Sequence, residues 1–81
     1  MTIDRVFEAL KDSILEVLPD ASTDAIRLDG RLRDLGANSV DRAEILTLTM
    51  QRLRVKMPLV DLAAAENIRG LVETFRSRAE A

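Results

Sequence analysis

The chain contains no cysteine, histidine, tryptophan or tyrosine, and only two phenylalanines. Without cysteine it has no disulfide framework and no thiol of its own. Without histidine it lacks the commonest general base and metal ligand. No stretch has the spacing of a metal-binding loop or of a glycine-rich phosphate-binding loop. We therefore expect no catalytic residue and no metal site, and we predict that the protein is not an enzyme.

Long apolar runs and an excess of positive charge are also missing. No run approaches the roughly 20 apolar residues needed to span a bilayer, and the first residues do not have the pattern of a signal peptide. The net charge of −2 at pH 7 gives no overall attraction to nucleic acid. We expect a cytoplasmic protein, a monomer, with neither nucleic acid nor membrane among its partners.

The residues that are present predict one small helical domain over residues 1–81. Apolar residues make up 47% of the 81 positions and charged residues 32%, a balance typical of a folded globular protein. With so few aromatic residues, the core must be aliphatic. Apolar residues recur at three- and four-residue spacing, which indicates amphipathic helices.

We predict an all-α fold: a small four-helix bundle, with three longer helices plus one short, and a long loop between helices 1 and 2. Proline and candidate capping residues mark the helix ends. The first predicted helix runs from a cap at Thr2 or Asp4 to about Leu18, and the second from about Val40 to Arg54. The short third helix runs from Leu59 to about Ala65, with Leu59, Leu62 and Ala63 directed inward. The last helix begins after a cap at Asn67 and ends in a tail that should fray from Arg76.

The long loop, residues 19–38, has features of its own. Leucines at positions 28, 32 and 35 should pin it across the bundle, with one helical turn near residues 31–35. Arginines at positions 27, 31 and 33 suggest a phosphate or an acidic partner. Aspartates are interleaved with them, so a solvated surface in which these charges pair with one another is the alternative.

The second helix has two different faces on a helical wheel. Ile45, Leu46, Thr49 and Leu53 fall on one stripe, which predicts the face that packs on the core. The opposite side mixes apolar and polar residues, with Met50 at its border. Such a mixture is more typical of a docking surface than of an ordinary charged helix face, although a mildly apolar solvent-facing side is the simpler alternative.

Ser39 lies at the start of this helix, where Asn38 is well placed to act as the N-cap and Asp41 as the third helical residue. The serine hydroxyl is then not needed for capping. A helix N-terminus presents free N–H groups and the positive end of the helix dipole, which suits a phosphate. Serine near a helix start more often only helps to cap it, so both interpretations stand on the residues alone.

The segment Gly36–Asp41 (GANSVD), followed by Ala43, Glu44 and Ile45, resembles the acyl carrier protein family, whose signature is an aspartate-serine-leucine triplet after a glycine and a small residue. The resemblance extends over nearly the full length. It implies that Ser39 carries 4'-phosphopantetheine, derived from coenzyme A, in phosphodiester linkage. Asn38 and Val40 replace the commoner aspartate and leucine.

Within that family, the segment Gly36–Ile45 is similar to free-standing donor carriers of polyketide β-branching cassettes. This resemblance implies an acetyl or another short acyl group, delivered to a hydroxymethylglutaryl-synthase-like enzyme. A phosphopantetheinyl transferase, an acyl-loading enzyme and a ketosynthase-type enzyme are the other implied partners. The docking surface predicted around Ser39 comprises Asn38, Val40, Asp41, Arg42, Ala43, Glu44, Thr47, Met50 and Gln51.

One departure from the family pattern bears on the partners. The family usually presents an acidic second helix, whereas arginines at positions 42, 52 and 54 make this one nearly neutral. The departure points to dedicated partners. Three alternatives stay open: a generic fatty-acid or polyketide carrier, a peptidyl carrier, and a helical interaction domain that is not modified at all.

Overall fold

The computed structural model describes residues 1–79, and in that part of the chain all regular structure is helical. The elements, in order, are α1 (Ile3–Val17), two 3₁₀ turns (Thr23–Ala25 and Leu32–Leu35), α2 (Ser39–Leu53), α3 (Val60–Ala63) and α4 (Ile68–Ala79). The predicted all-α bundle of three longer helices and one short one, with a long loop after the first, is confirmed.

The core is aliphatic around a single aromatic ring. Phe75 of α4 is fully buried, and α1 packs against both α2 and α4. The predicted core stripe of α2 is confirmed, because Ile45, Leu46, Thr49 and Leu53 are its buried residues. Thr49 satisfies its buried hydroxyl by donating to the carbonyl oxygen of Ile45, at 2.8 Å.

The long loop is held by side chains and by backbone hydrogen bonds. Ile26 and Leu32 are buried, and the leucines at positions 28 and 35 pack half-buried against the core, so the predicted pinning is confirmed. The carbonyl oxygens of Gly30 and Leu28 accept from the first N–H groups of α4, each at 2.8 Å. These bonds satisfy donors that the helix itself cannot pair, and they join the loop to the opposite end of the chain.

The predicted starts of α1 and α4 are confirmed, and each is capped by a side chain. Thr2 is the N-cap of α1, because its Oγ1 accepts from the N–H of Arg5 at 3.2 Å. Asn67 caps α4, since its Oδ1 accepts from the N–H of Gly70 at 2.9 Å. Gly70 also permits close packing there: a Cβ at this position would lie 3.1 Å from the Cβ of Ala65.

The prediction for the third helix is wrong in its length and its packing. α3 is one turn long and buries only Leu62, while Leu59 is 39% exposed and Ala63 is exposed. A single turn presents one side chain to the core, so the other two lie outside it.

The predicted fraying from Arg76 is also wrong over the described residues. α4 continues to Ala79, and Arg78 forms an ion pair with Asp61 of α3 at 2.9 Å. The remaining part of the predicted tail, residues 80–81, lies outside the described residues.

Arg52 of α2 connects α2 to α1. Its Nη1 donates to the Oγ of the buried Ser13 at 2.9 Å, and its Nη2 contacts Oε2 of Glu16 at 2.8 Å. A guanidinium can make both bonds at once because its donors form a rigid fork. Arg52 therefore faces α1, away from the exposed side of α2.

Replacing Phe75 with alanine should cost about 3–5 kcal/mol of unfolding free energy, because the ring is fully buried and leaves a cavity. Glu73→Ala, at an exposed position of the same helix, should change the unfolding free energy by less than about 0.5 kcal/mol. Urea unfolding monitored by circular dichroism measures both. If Phe75→Ala does not fold, Ile45→Val should still lose about 0.5–1.5 kcal/mol. Equal stability of the Phe75 and Glu73 variants would contradict this core.

Candidate functional site

The chain turns sharply just before α2, at Gly36. This residue has φ +93°, in the left-handed region that glycine adopts without a steric penalty, and it ends the second 3₁₀ turn. Its N–H donates to the carbonyl oxygen of Arg33 at 3.1 Å. Ala37 follows and is buried, which fixes the direction in which the chain enters α2.

Asn38 and Asp41 form a reciprocal cap at the start of α2. Oδ1 of Asn38 accepts from the N–H of Asp41 at 2.8 Å, and Oδ2 of Asp41 accepts from the N–H of Asn38 at 3.2 Å. The predicted capping role of Asn38 is confirmed. Together the two side chains satisfy two backbone donors that would otherwise have no partner. Ser39 contributes nothing to this cap, and its side chain is exposed.

Arg42 contacts the Ser39 hydroxyl. Its Nη1 donates to the carbonyl oxygen of Ala37 at 2.9 Å, and its Nη2 donates to Oγ of Ser39 at 3.3 Å. Residues three apart on a helix lie on the same side, so the pair is a local product of α2. The result is a serine hydroxyl at a helix N-terminus, open to solvent, with a cation beside it.

The structure places Arg42 half-buried, on the side of α2 that faces the core. It precedes Leu46 by four residues and Thr49 by seven, which is the spacing of the buried stripe. Arg42 was predicted among the docking residues, and its contact with Ser39 was not predicted. The signal was present in the sequence: a charged residue that continues an apolar stripe needs a polar partner close by.

A groove of about 640 Å³ lies between α2 and α3. Its wall includes Arg42, Ala43 and Leu46 of α2, and its far side is formed by Leu62 and the segment that follows it. Arginines at positions 31 and 33 also line it, and neither has a side-chain ion pair within residues 1–79. The groove is thus lined mainly by apolar side chains, with Glu66 and three arginines also in its wall. Of these arginines, Arg42 is the one that contacts Ser39.

The loop arginines do not act as one cluster. Arg27 pairs with Asp29 at 3.2 Å, both side chains being exposed, as the self-paired alternative predicts. Arg31 and Arg33 line the groove instead.

The residues of the predicted docking surface lie at different depths. Five of its nine residues are exposed: Asn38, Val40, Glu44, Thr47 and Gln51. Val40 is 74% exposed. Asp41, Ala43 and Met50 are half-buried. Ala43 and Arg42 line the groove toward α3, so the surface has a convex, exposed part and a concave margin.

A second, shallow depression of about 500 Å³ lies at the far end of α2. Thr47, Met50 and Gln51 line it together with residues 54–57, and no acidic residue is among them. Residues 54–57 were not part of the predicted docking surface. In the sequence this stretch is only the connection between the second and third predicted helices, so the fold was needed to show that it returns beside α2.

Within residues 1–79, no group of acidic side chains could hold a metal ion, and no helix is long and apolar enough to cross a membrane. In the described part of the chain, the Ser39 hydroxyl accepts a hydrogen bond from the Arg42 guanidinium, and no carboxylate or lysine bonds to it. The arrangement suits attachment of an anionic group at Ser39, with Arg42 and the helix N-terminus to receive its charge.

Comparison with known proteins agrees with this geometry. The family profile described as "Phosphopantetheine attachment site" matches residues 8–75. The chain is 38% identical over 76 residues to "Polyketide biosynthesis acyl-carrier-protein AcpK" of Bacillus subtilis (strain 168), covering 94% of this chain and 93% of that protein. No solved structure matches the chain.

The chain therefore belongs to the phosphopantetheine-binding acyl carrier protein family. Members of this family carry a substrate and do not catalyse its conversion, so the protein is a carrier and not an enzyme. Its cofactor is covalent 4'-phosphopantetheine. The exposed hydroxyl, the adjacent guanidinium and the open N-terminus of α2 fit the phosphate of that group.

Replacing Asn38 with alanine should cost about 0.5–2 kcal/mol of unfolding free energy, because the N–H of Asp41 loses its acceptor. Ser39→Ala should change it by less than about 0.5 kcal/mol, since the cap does not use the hydroxyl. Urea unfolding of the unmodified proteins measures both, with Asn38→Asp as the control that keeps the accepting oxygen. An equal loss in the Ser39 and Asn38 alanine variants would show that the serine is part of the cap.

Proposed function

We propose that Ser39 is the residue to which 4'-phosphopantetheine is attached. The observation that carries this proposal is the exposed Ser39 hydroxyl at the start of α2, left unused by the Asn38–Asp41 cap. The position lies inside the segment matched by the family profile, residues 8–75. A modifying enzyme can approach the hydroxyl from solvent without unfolding the helix.

The arm supplies, when attached, the thiol that holds an acyl group as a thioester. This chain has no cysteine, so the arm provides a function that its own side chains lack. Tethering the acyl group also raises its concentration at the active site of any enzyme that docks beside Ser39. The protein itself needs only to hold the attachment point rigidly and to present a surface for docking.

The pathway we propose is polyketide biosynthesis, with this protein as the donor of an acetyl or another short acyl group to a hydroxymethylglutaryl-synthase-like β-branching enzyme. The relative from Bacillus subtilis, named a polyketide biosynthesis acyl carrier protein, supports the pathway. The donor role is supported by the segment Gly36–Ile45 and by a docking surface that is poor in acids. We further propose a monomeric, cytoplasmic carrier formed by one domain over residues 1–81.

The charges of α2 favour a dedicated partner. On the docking surface, Asp41 is engaged in the cap, which leaves Glu44 as an exposed acid. At the far end of α2, Met50 and Gln51 line a depression together with Arg54 and Lys56, and no acidic side chain lines it. An enzyme with a basic docking patch finds little to pair with here, whereas a flatter and more apolar surface fits. The other proposed partners are a phosphopantetheinyl transferase, an acyl-loading enzyme and a ketosynthase-type enzyme.

Incubation with coenzyme A and a broad-specificity phosphopantetheinyl transferase should add one phosphopantetheine group to the wild-type protein. Ser39→Ala should gain nothing while keeping its fold, because Asn38 remains as the cap. Ser22→Ala, which removes another exposed loop hydroxyl, should be modified as fully as the wild type. Intact-protein mass spectrometry measures all three. Modification of the Ser39→Ala protein would remove Ser39 as the attachment residue, and an unmodified wild type would count against the carrier function.

The triple variant Asn38→Asp, Met50→Glu, Gln51→Glu should transfer its acetyl group more slowly to the cognate synthase than the wild type does. The changes give the surface the acidic character of a generic carrier, and all three positions lie within about three turns of Ser39. The melting temperature should be almost unchanged, because Asp at position 38 still caps the helix. The measurement is the rate of acetyl transfer from the loaded carrier to the purified synthase.

A charge-matched control adds three acids elsewhere: Ser22→Asp, Thr23→Glu and Ser77→Glu, all at exposed positions outside the docking surface. This control should transfer at the wild-type rate, and an acetyl-loaded generic fatty-acid carrier should transfer slowly. Equal rates from all four proteins would mean that this surface does not select the synthase, and would leave the generic carrier alternative. Loading by an amino-acid-activating enzyme in place of an acyl-loading enzyme would favour the peptidyl carrier.

A further inference from the structure

We propose that Arg42 is a positioning residue that holds the phosphate of the phosphopantetheine arm against the start of α2. The proposal rests on Ser39 being the attachment residue. It assigns to Arg42 a role inside the carrier, distinct from contact with a partner enzyme.

The Arg42 guanidinium is already held in place by the backbone. Its Nη1 donates to the carbonyl oxygen of Ala37 at 2.9 Å, and Ala37 is itself buried. The planar guanidinium is therefore oriented from one end by the backbone that enters α2. Little side-chain entropy remains to be lost when its other donors find a partner.

A second donor group of Arg42 faces the Ser39 hydroxyl. Nη2 of Arg42 lies 3.3 Å from Oγ of Ser39, a long contact between a cation and a neutral hydroxyl. After esterification, Oγ is bonded to phosphorus. The unesterified phosphate oxygens are bonded to the same phosphorus, two bonds away from Oγ. These oxygens are anionic, and a guanidinium forms shorter and stronger hydrogen bonds with them than with a hydroxyl.

The charges around Ser39 also favour a role for Arg42. A phosphodiester at Ser39 adds an anion to a turn that already contains Asp41 and, one turn later, Glu44. Arg42 is the only basic residue between positions 36 and 51. Without it the arm would be repelled by the same carboxylate that completes the helix cap; with it the added charge has a partner on the same helix turn.

The position of Arg42 also sets the direction in which the arm leaves. The residue is half-buried and lines the groove between α2 and α3, on the side opposite to the exposed residues Val40 and Glu44. A phosphate held by Arg42 therefore lies on the groove side of Ser39. The arm then starts from one defined point, and the convex part of the docking surface stays clear for a partner.

The first test needs no variant. Two-dimensional ¹H–¹⁵N NMR spectra of the wild-type protein, recorded before and after modification, report the arginine side-chain N–H groups. The Arg42 resonances should shift on modification, and their exchange with water should slow several-fold. Arg54, at the other end of α2, is the internal control and should not change. Unchanged Arg42 side-chain resonances in a protein shown by mass spectrometry to be modified would overturn the proposal.

The second test uses ³¹P NMR of the modified proteins. Arg42→Gln and Arg54→Gln remove the same charge, but only the first removes the phosphate contact. The ³¹P resonance of Arg42→Gln should shift and show faster local motion than the wild type, Arg42→Lys should be intermediate, and Arg54→Gln should match the wild type. Identical shifts and relaxation in the Arg42→Gln and Arg54→Gln proteins would overturn the proposal.

The two proposals fail in different ways. If the wild type gains no mass and no ³¹P signal, Ser39 is not an attachment site and the proposed function fails. If it gains both while the Arg42 resonances stay unchanged, only the role of Arg42 fails. If Arg42→Gln is not modified by the transferase, the wild-type comparison before and after modification still decides the question.

Discussion

The reciprocal hydrogen bonds between Asn38 and Asp41 are the interaction on which the site depends. Because these two side chains satisfy two backbone donors at the start of α2, the Ser39 hydroxyl is not needed for the cap. The left-handed turn at Gly36 and the buried Ala37 deliver the chain to this cap in a fixed direction. A small domain thus keeps an exposed serine at a constant place on its surface, which is what a covalent carrier requires.

Arg42 and Arg52 of α2, and Arg54 at its C-cap, show how one residue type serves different purposes. Arg52 turns toward α1, where Ser13 and Glu16 bind its guanidinium, so its charge contributes to the packing of two helices. Arg42 turns toward the groove, where it donates to the carbonyl oxygen of Ala37 and to Oγ of Ser39. Arg54 ends the helix in a left-handed conformation, φ 55°, and is exposed. The net charge of this helix is therefore a poor guide to the charge of its exposed face, because Arg42 and Arg52 are both engaged in contacts within the protein.

The elements predictable from the sequence were those with a strong local signal. The buried stripe of α2, the caps at Thr2, Asn38 and Asn67, and the pinned loop follow from periodicity and short-range hydrogen bonding. The wrong predictions concerned the length of α3 and of α4 and one side-chain contact. Leu59 lies outside the core because α3 is a single turn, and α4 persists to Ala79 with Arg78 paired to Asp61. A polar partner for Arg42 could have been predicted from the sequence, because that arginine continues an apolar stripe. That its side chain is half-buried and contacts Ser39 became evident only in the fold.

The most direct test of the carrier account is mass spectrometry of the protein isolated from its native host. Cleavage after Arg33 and Arg42 gives a peptide of residues 34–42 in which Ser39 is the only side chain with a hydroxyl, so the attachment residue is identified without ambiguity. The account predicts that this peptide bears phosphopantetheine, with an acetyl or another short acyl group on a part of the population. An unmodified peptide in every sample, or the same arm on a different peptide, would contradict it.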